Sequence, residues 1–210
     1  MGNQDAINIV VLNRKTDLHM GRLICNFKVI SMKKIATFFM AALVAIQVNA
    51  QFTRATLQAT GLTCAMCSNA INKALLAKPF IQSVKADIKN SSFNIVFKDN
   101  VDVDIDELRK AVEDAGFAIG SLKLTGNFHE LKIGNDAHVQ IGERHFHFLN
   151  VSEQVLNGEQ TITIIDKDFL TAKQFKKYSE STKMKCLVSG KSGPCCPGVT
   201  VGTRVYHATI

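Results

Sequence analysis

The 210-residue sequence has no tryptophan and only two tyrosines, so a pocket or redox motif built on tryptophan is excluded. Proline is scarce too: Pro79 closes a helical pattern, and Pro194 and Pro197 sit in glycine-flanked turns. No Ser/His/Asp arrangement, phosphate-cradling loop or paired-acid motif is present, so neither hydrolysis nor phosphoryl transfer is indicated. Histidine is missing from the whole stretch between Gln51 and Phe128, whereas His129, His138, His145, His147 and His207 all follow it. Long apolar runs are lacking as well. A membrane-spanning helix takes about 20 apolar residues, and the run from Ile35 to Ile46 stops at Gln47 and Asn49.

That short run has another use. Met32 is followed by Lys33 and Lys34, then by the apolar stretch, then by Val48-Asn49-Ala50. A basic start, a short apolar segment and small residues before a cut form the layout of a secretory signal peptide. Residues 32–50 are therefore expected to be removed after Ala50, leaving an exported protein, periplasmic or extracellular, that does not span the membrane. No cysteine stands at the cut, so a lipid anchor is not indicated. Residues 1–31 then read as a start placed too early or a long polar lead, and Cys25 falls outside the mature protein. Removing residues 1–50 takes away six basic and two acidic side chains and lowers the formal charge from +7 to +3. The basic balance thus belongs partly to the discarded segment and does not point to nucleic acid.

Five cysteines remain: Cys64, Cys67, Cys186, Cys195 and Cys196. Exported thiols tend to pair. An odd number leaves at least one free, metal-bound or joined to another molecule.

The mature chain divides near Thr125-Gly126-Asn127, a turn-prone triplet. Residues 51–124 read β-α-β-β-α-β. Ala55, Leu57 and Ala59 alternate. Ile71, Ala74 and Leu75 share a helical face that Pro79 ends. Val84, Ala86 and Ile88 alternate, and Asn90-Ser91 turns the chain into Phe93, Ile95 and Phe97. Asp104 and Glu107 form a capping box ahead of Ile105, Leu108, Val112 and Ala115, and Gly116 ends that helix. This order predicts an α+β ferredoxin-like fold, two helices on one face of a four-stranded sheet. Residues 125–210 read mostly β, with strands at 128–133, 138–141, 144–151, 160–165, 185–188 and 203–208 and a helix over 171–179 carrying Phe175 and Tyr178. That element order loosely resembles an OB-type barrel.

Chemistry concentrates in Gly61-Leu62-Thr63-Cys64-Ala65-Met66-Cys67, where a strand turns into a helix. Cys67 falls in the first helical turn and Cys64 on the loop beside it. The helix N-terminus offers free N–H groups and partial positive charge, which favour the thiolate, and the thiolate is the metal ligand. Two thiolates without histidine or carboxylate make a soft site that prefers Cu(I); Hg(II), Cd(II) and Zn(II) are further candidates.

With Ser68-Asn69-Ala70-Ile71 behind it and Ala111-Val112-Glu113-Asp114-Ala115-Gly116-Phe117 further on, this loop resembles the heavy-metal-associated domain. That family includes copper chaperones, N-terminal domains of copper-exporting P-type ATPases and the periplasmic mercury-binding protein. The resemblance covers Thr53 to Leu124. It implies Cys64 and Cys67 as ligands, Thr63 supporting the loop, Gly61 permitting its turn, and Phe117 shielding the site. Met66 replaces a common small residue and either lends a thioether contact or packs. The implied role is Cu(I) chaperoning or sequestration, with a metal-transporting membrane protein or another metal-binding domain as partner, and no enzymatic step.

Two alternatives share the same cysteines. A thiol–disulfide oxidoreductase also carries C-x-x-C at a helix start, though here without the Trp or Pro usual around it. A structural C-x-x-C disulfide closes almost no loop and so stabilises little. In the second half, Cys186, Cys195 and Cys196 flank Gly193-Pro194 and Pro197-Gly198. They are expected either to staple a long hairpin by a bridge from Cys186 to Cys195 or Cys196, or to form a second soft-metal site with a histidine. His145 and His147 share one strand face, expected to be solvated, opposite a buried Phe146 and Phe148. Lys173, Lys176 and Lys177 read as the wet side of a helix.

Overall fold

Apolar residues every second position drive strand β1, Gln51–Thr60, which buries Phe52, then Ala55, Leu57 and Ala59. The phase slips between Phe52 and Ala55 because a bulge lies between Phe52 and Arg54, where one extra residue flips the alternation. The structure is a computed structural model describing residues 51–62 and 65–210. Residues 1–50, with the expected lead, signal peptide and Cys25, lie outside the described residues, as do Thr63 and Cys64.

Helix α1, Ala65–Leu76, buries Ser68, Ile71 and Leu75. Strand β2, Ile81–Asp87, is an edge, and Ile88 beyond it is exposed rather than alternating into the core. Strand β3, Ser92–Phe97, buries Phe93, Ile95 and Phe97. Helix α2, Ile105–Asp114, starts at Asp104, whose carboxylate accepts the Glu107 N–H at 3.1 Å. The Glu107 carboxylate turns to Lys78 at 2.6 Å instead of closing the expected box. The helix ends with paired bonds, Gly116 N–H to Glu113 C=O at 2.8 Å and Phe117 N–H to Val112 C=O at 3.1 Å. That is the Schellman geometry, and it aims Phe117 back at the core, against which it packs. With strand β4, Ala118–Ile133, the order β2-β3-β1-β4 completes the expected ferredoxin-like half.

The second half departs from expectation. The triplet Thr125-Gly126-Asn127 is the middle of the 16-residue strand β4, not a turn. Gly126 is required there by close approach: a Cβ would meet the Gln51 carbonyl oxygen at 2.7 Å. A glycine inside a strand marks such an approach as often as a break. The sheet therefore runs on through β5, His138–Ile141, β6, Arg144–Phe148, β7, Gln154–Ile164, and β8, Val205–Thr209. The full order is β2-β3-β1-β4-β7-β8-β6-β5. The first and last strands do not pair, so the sheet is open and the expected OB-type barrel is not formed. Strand β8 lies parallel to β6 and antiparallel to β7. Helix α3, Ala172–Ser179, carries a full capping box between Thr171 and Gln174. Phe175 and Tyr178 pack on Leu149, Ile165, Leu170 and Leu187. The stretch expected as a strand at 185–188 is instead the short helix α4, Cys186–Ser189.

One buried cluster joins both halves. Phe52 of β1 meets Phe128 at 6.3 Å and Phe146 at 5.8 Å, and Phe146 meets Tyr206 at 5.6 Å. Arg204 closes the same seam. Its guanidinium donates to both Asp106 oxygens at 3.0 and 3.2 Å and to Asp166 at 2.8 Å. Burial opposes the charge on Asp106, but Arg204 and Tyr206 outweigh it and hold that carboxyl below its usual range. Among the described residues no helix is long and apolar enough to cross a membrane.

Candidate metal centres

The first centre lies where β1 delivers the chain to α1. Gly61 takes φ +78°, a left-handed conformation that glycine adopts at no steric cost, as the expected turn demands. Leu62 packs on the core just ahead of α1, and Phe117 packs on the same core. Cys67 is half-buried in the first turn of α1. That turn carries no acidic side chain, so nothing on the helix offsets its positive end. Ser68 and Ile71 are buried directly behind the cysteine, which fixes the helix against the sheet. Met66 is 84% exposed, so of the two roles named for it packing is not realised. Cys64 and Thr63 lie outside the described residues.

The second half gathers its own donors. His138, His147 and His207 are register partners across three adjacent strands, His138 opposite His147 and His147 beside His207. They form one row on the sheet. The His138 and His147 rings stack at 4.2 Å, and the His147 and His207 rings meet edge to face at 5.1 Å. Helix α4 covers this row and sets the Cys186 Sγ 3.6 Å from His147 Nδ1. Cys195 and Cys196 come in on the following loop, their sulfurs 3.8 Å apart. Cys186, Cys195 and Cys196 are all thiols in the structure.

The expected solvated face is thus corrected: His147 is fully buried, and Phe146 and Phe148 are buried on the opposite side as anticipated. Alternation shows which residues share a face; it does not show that α4 covers it. His145 is only half-buried, and His129 is exposed.

Two carboxylates that the sequence did not single out orient the row. Asp136 accepts from His147 Nε2 at 3.2 Å, and Asp166 accepts from His207 Nδ1 at 2.6 Å. Burial, with His138 and His207 nearby, pushes the pKa of His147 down to about 4 despite Asp136, so the ring is neutral at ordinary pH. Burial also lowers His138. Burial and the neighbouring Cys196 and Cys195 push the Cys186 thiol far up. Cys195 is more open. Burial works against its ionisation, but hydrogen bonding to the Cys186 backbone and to the neighbouring thiols brings it below its ordinary value.

The family comparison spans the first centre. The family model of the heavy-metal-associated domain matches residues 56–118. A probable copper-transporting ATPase of Arabidopsis thaliana is 31% identical over 83 residues, 40% of this chain and 8% of that protein. A copper-transporting ATPase of Helicobacter pylori is 34% identical over 58 residues, 28% of this chain and 8% of that protein. The chain therefore matches only a small part of the length of these relatives. Among solved structures, the CopZ metallochaperone is 22% identical, covering 32% of this chain and 98% of its own, with a TM-score of 0.30. A copper-binding domain from a P-type ATPase is 29% identical, covering 32% of this chain and 92% of its own, with a TM-score of 0.29.

Proposed function

We propose that this chain, which carries a heavy-metal-associated domain over residues 56–118, binds Cu(I) as cargo between Cys64 and Cys67 and passes it to another thiol site. The observation that carries the proposal is the placement of Cys67 in the first turn of α1, behind the Gly61 turn, in a family-matched domain. Two soft donors at a helix N-terminus suit an ion of low coordination number and single charge. The copper-transporting relatives favour copper over the other thiophilic ions.

Transfer is ligand exchange without redox change. A thiolate of the partner bonds to Cu(I), the bond to Cys64 or Cys67 breaks, and the leaving thiolate takes a proton from solvent. The half-buried setting of Cys67 leaves such an approach open. The partner class is a metal-transporting membrane protein or a free metal-binding domain with its own cysteine pair.

The test is transfer from the reduced, Cu(I)-loaded chain to an isolated heavy-metal-associated domain of a copper ATPase, followed by anaerobic mass spectrometry. Copper should move reversibly between the two. Turnover of a disulfide substrate by the metal-free chain, with no copper exchange, would favour a thiol–disulfide oxidoreductase instead.

Export is part of the same proposal. It rests on the segment from Met32 to Ala50. N-terminal sequencing of the protein recovered outside the cytoplasm should read Gln51 first. Recovery of a cytosolic form that keeps Met1 or Met32 would contradict export.

A further inference from the structure

The row of histidines under α4 has no part in the function proposed above, and it lies outside the residues that the family model matches. The donor atoms of His147, Cys186 and His207 all lie within 4.8 Å of one another, as do those of His138, Cys186 and Cys196. The two triads share Cys186. We propose that His147, His207 and Cys186, with Cys196 or His138 completing the shell, form a second metal site for a thiophilic ion with a filled d shell, Cu(I) or Zn(II).

Geometry supports this on several counts. Metal–nitrogen and metal–sulfur bonds of about 2.0–2.3 Å set tetrahedral donors roughly 3.5 Å apart, and Cys186 Sγ stands 3.6 Å from His147 Nδ1. Each inner histidine hands its other nitrogen to a carboxylate, His147 to Asp136 and His207 to Asp166. Metal-ligating histidines show this pairing, which fixes the ring and raises its basicity. It leaves Nδ1 of His147 and Nε2 of His207 as the two donors.

An unmetallated core does not account for those nitrogens equally well. The Nε2 atoms of His207 and His138 are buried and have no hydrogen-bond partner. A buried polar atom left without a partner opposes folding unless something satisfies it. An ion would satisfy His207 directly and draw Cys186 into the same shell.

Loading also has a route. A surface cleft of about 580 Å³, lined by Lys185, Cys186, Pro194 and Cys195 among others, opens onto the sulfurs. Cys195, half-buried at its wall, is placed to meet the ion first. The imidazoles bind in their neutral form, and each thiol that ligates releases its proton to solvent, so the site gains charge balance as it fills. Mixed nitrogen and sulfur donors distinguish this site from the sulfur pair at Cys64 and Cys67.

The test uses the full chain carrying Cys64→Ser and Cys67→Ser, which removes the first site and leaves the second intact. The reduced protein is loaded anaerobically with Cu(I) and, in a separate arm, with Zn(II). Bound metal is counted, and the absorption edge of the metal is recorded. One equivalent of either ion, with both nitrogen and sulfur in its shell, is the expected result, and the arm that retains it identifies the ion. Asp136→Ala in that background, a change at a partly exposed residue, should weaken the retained ion by about 10–100-fold. Circular dichroism confirms that each variant is folded. A folded chain that retains neither ion, or a shell of sulfur alone, would overturn the proposal. So would a bridge from Cys186 to Cys195 or Cys196 that persists in the loaded protein, found by peptide mapping without reductant. Failure of this second site leaves transfer from Cys64 and Cys67 untouched, and the reverse holds as well.

Discussion

Replacing Cys64 and Cys67 by serine should abolish copper transfer to a partner domain and weaken the exchangeable Cu(I) by at least about a thousandfold, roughly 4 kcal/mol. Serine is nearly isosteric but keeps its proton, and its oxygen is a hard donor that Cu(I) disfavours. The change also leaves the scaffold intact. Helix α1 is held by Ile71 and Leu75 in the core, and Leu62 packs on the core ahead of it. Unchanged circular dichroism and an unchanged melting point should accompany the loss, as measured by competition with a chromophoric Cu(I) chelator. A double variant that still delivers copper at the original rate would move the exchangeable site elsewhere.

The second large effect concerns the seam between the halves. Phe146→Ala should cost about 4 kcal/mol and lower the melting point of the full chain by about 10 °C. Phe146 is fully buried and touches both Phe52 of β1 and Tyr206 of β8. Truncation there opens a cavity against elements of both halves at once. Because β4 belongs to both and pairs with β1 and β7 along its length, unfolding should be a single transition before and after the change. Far-ultraviolet circular dichroism and exchange of backbone amides in β1 and β8 should report the same midpoint. Independent melting of residues 51–124, unaffected by Phe146→Ala, would show that the shared sheet does not couple them.

How much was legible in the sequence differs sharply between the halves, for physical reasons. In the first, local signals and the fold agree. The alternation of Phe93, Ile95 and Phe97, the cap at Asp104 and the stop at Gly116 each act within a few residues and appear where expected. The second is built from distant pairings. Nothing near Gly126 announces that its missing side chain makes room for the Gln51 backbone, so a turn-prone triplet hid a continuous strand. Lys185 to Val188 alternates well enough for a strand, but the chain turns through α4 and ends it at Gly190. His147 looked solvated because its cover comes from residue 186, well beyond its own strand. Asp136 and Asp166 carried no signal at all until the register placed them beside His147 and His207. The cysteines of both halves were visible by composition alone, and the family resemblance gave a role only to the first pair.

The most direct test of the central claim is copper K-edge absorption of the unaltered full chain, reduced and loaded with one equivalent of Cu(I). Binding between Cys64 and Cys67 predicts a low-coordinate copper with two sulfur neighbours and no nitrogen. A first shell in which nitrogen accompanies sulfur would contradict it. That result would place the tightest-bound ion among His147, His207 and Cys186 rather than at the start of α1.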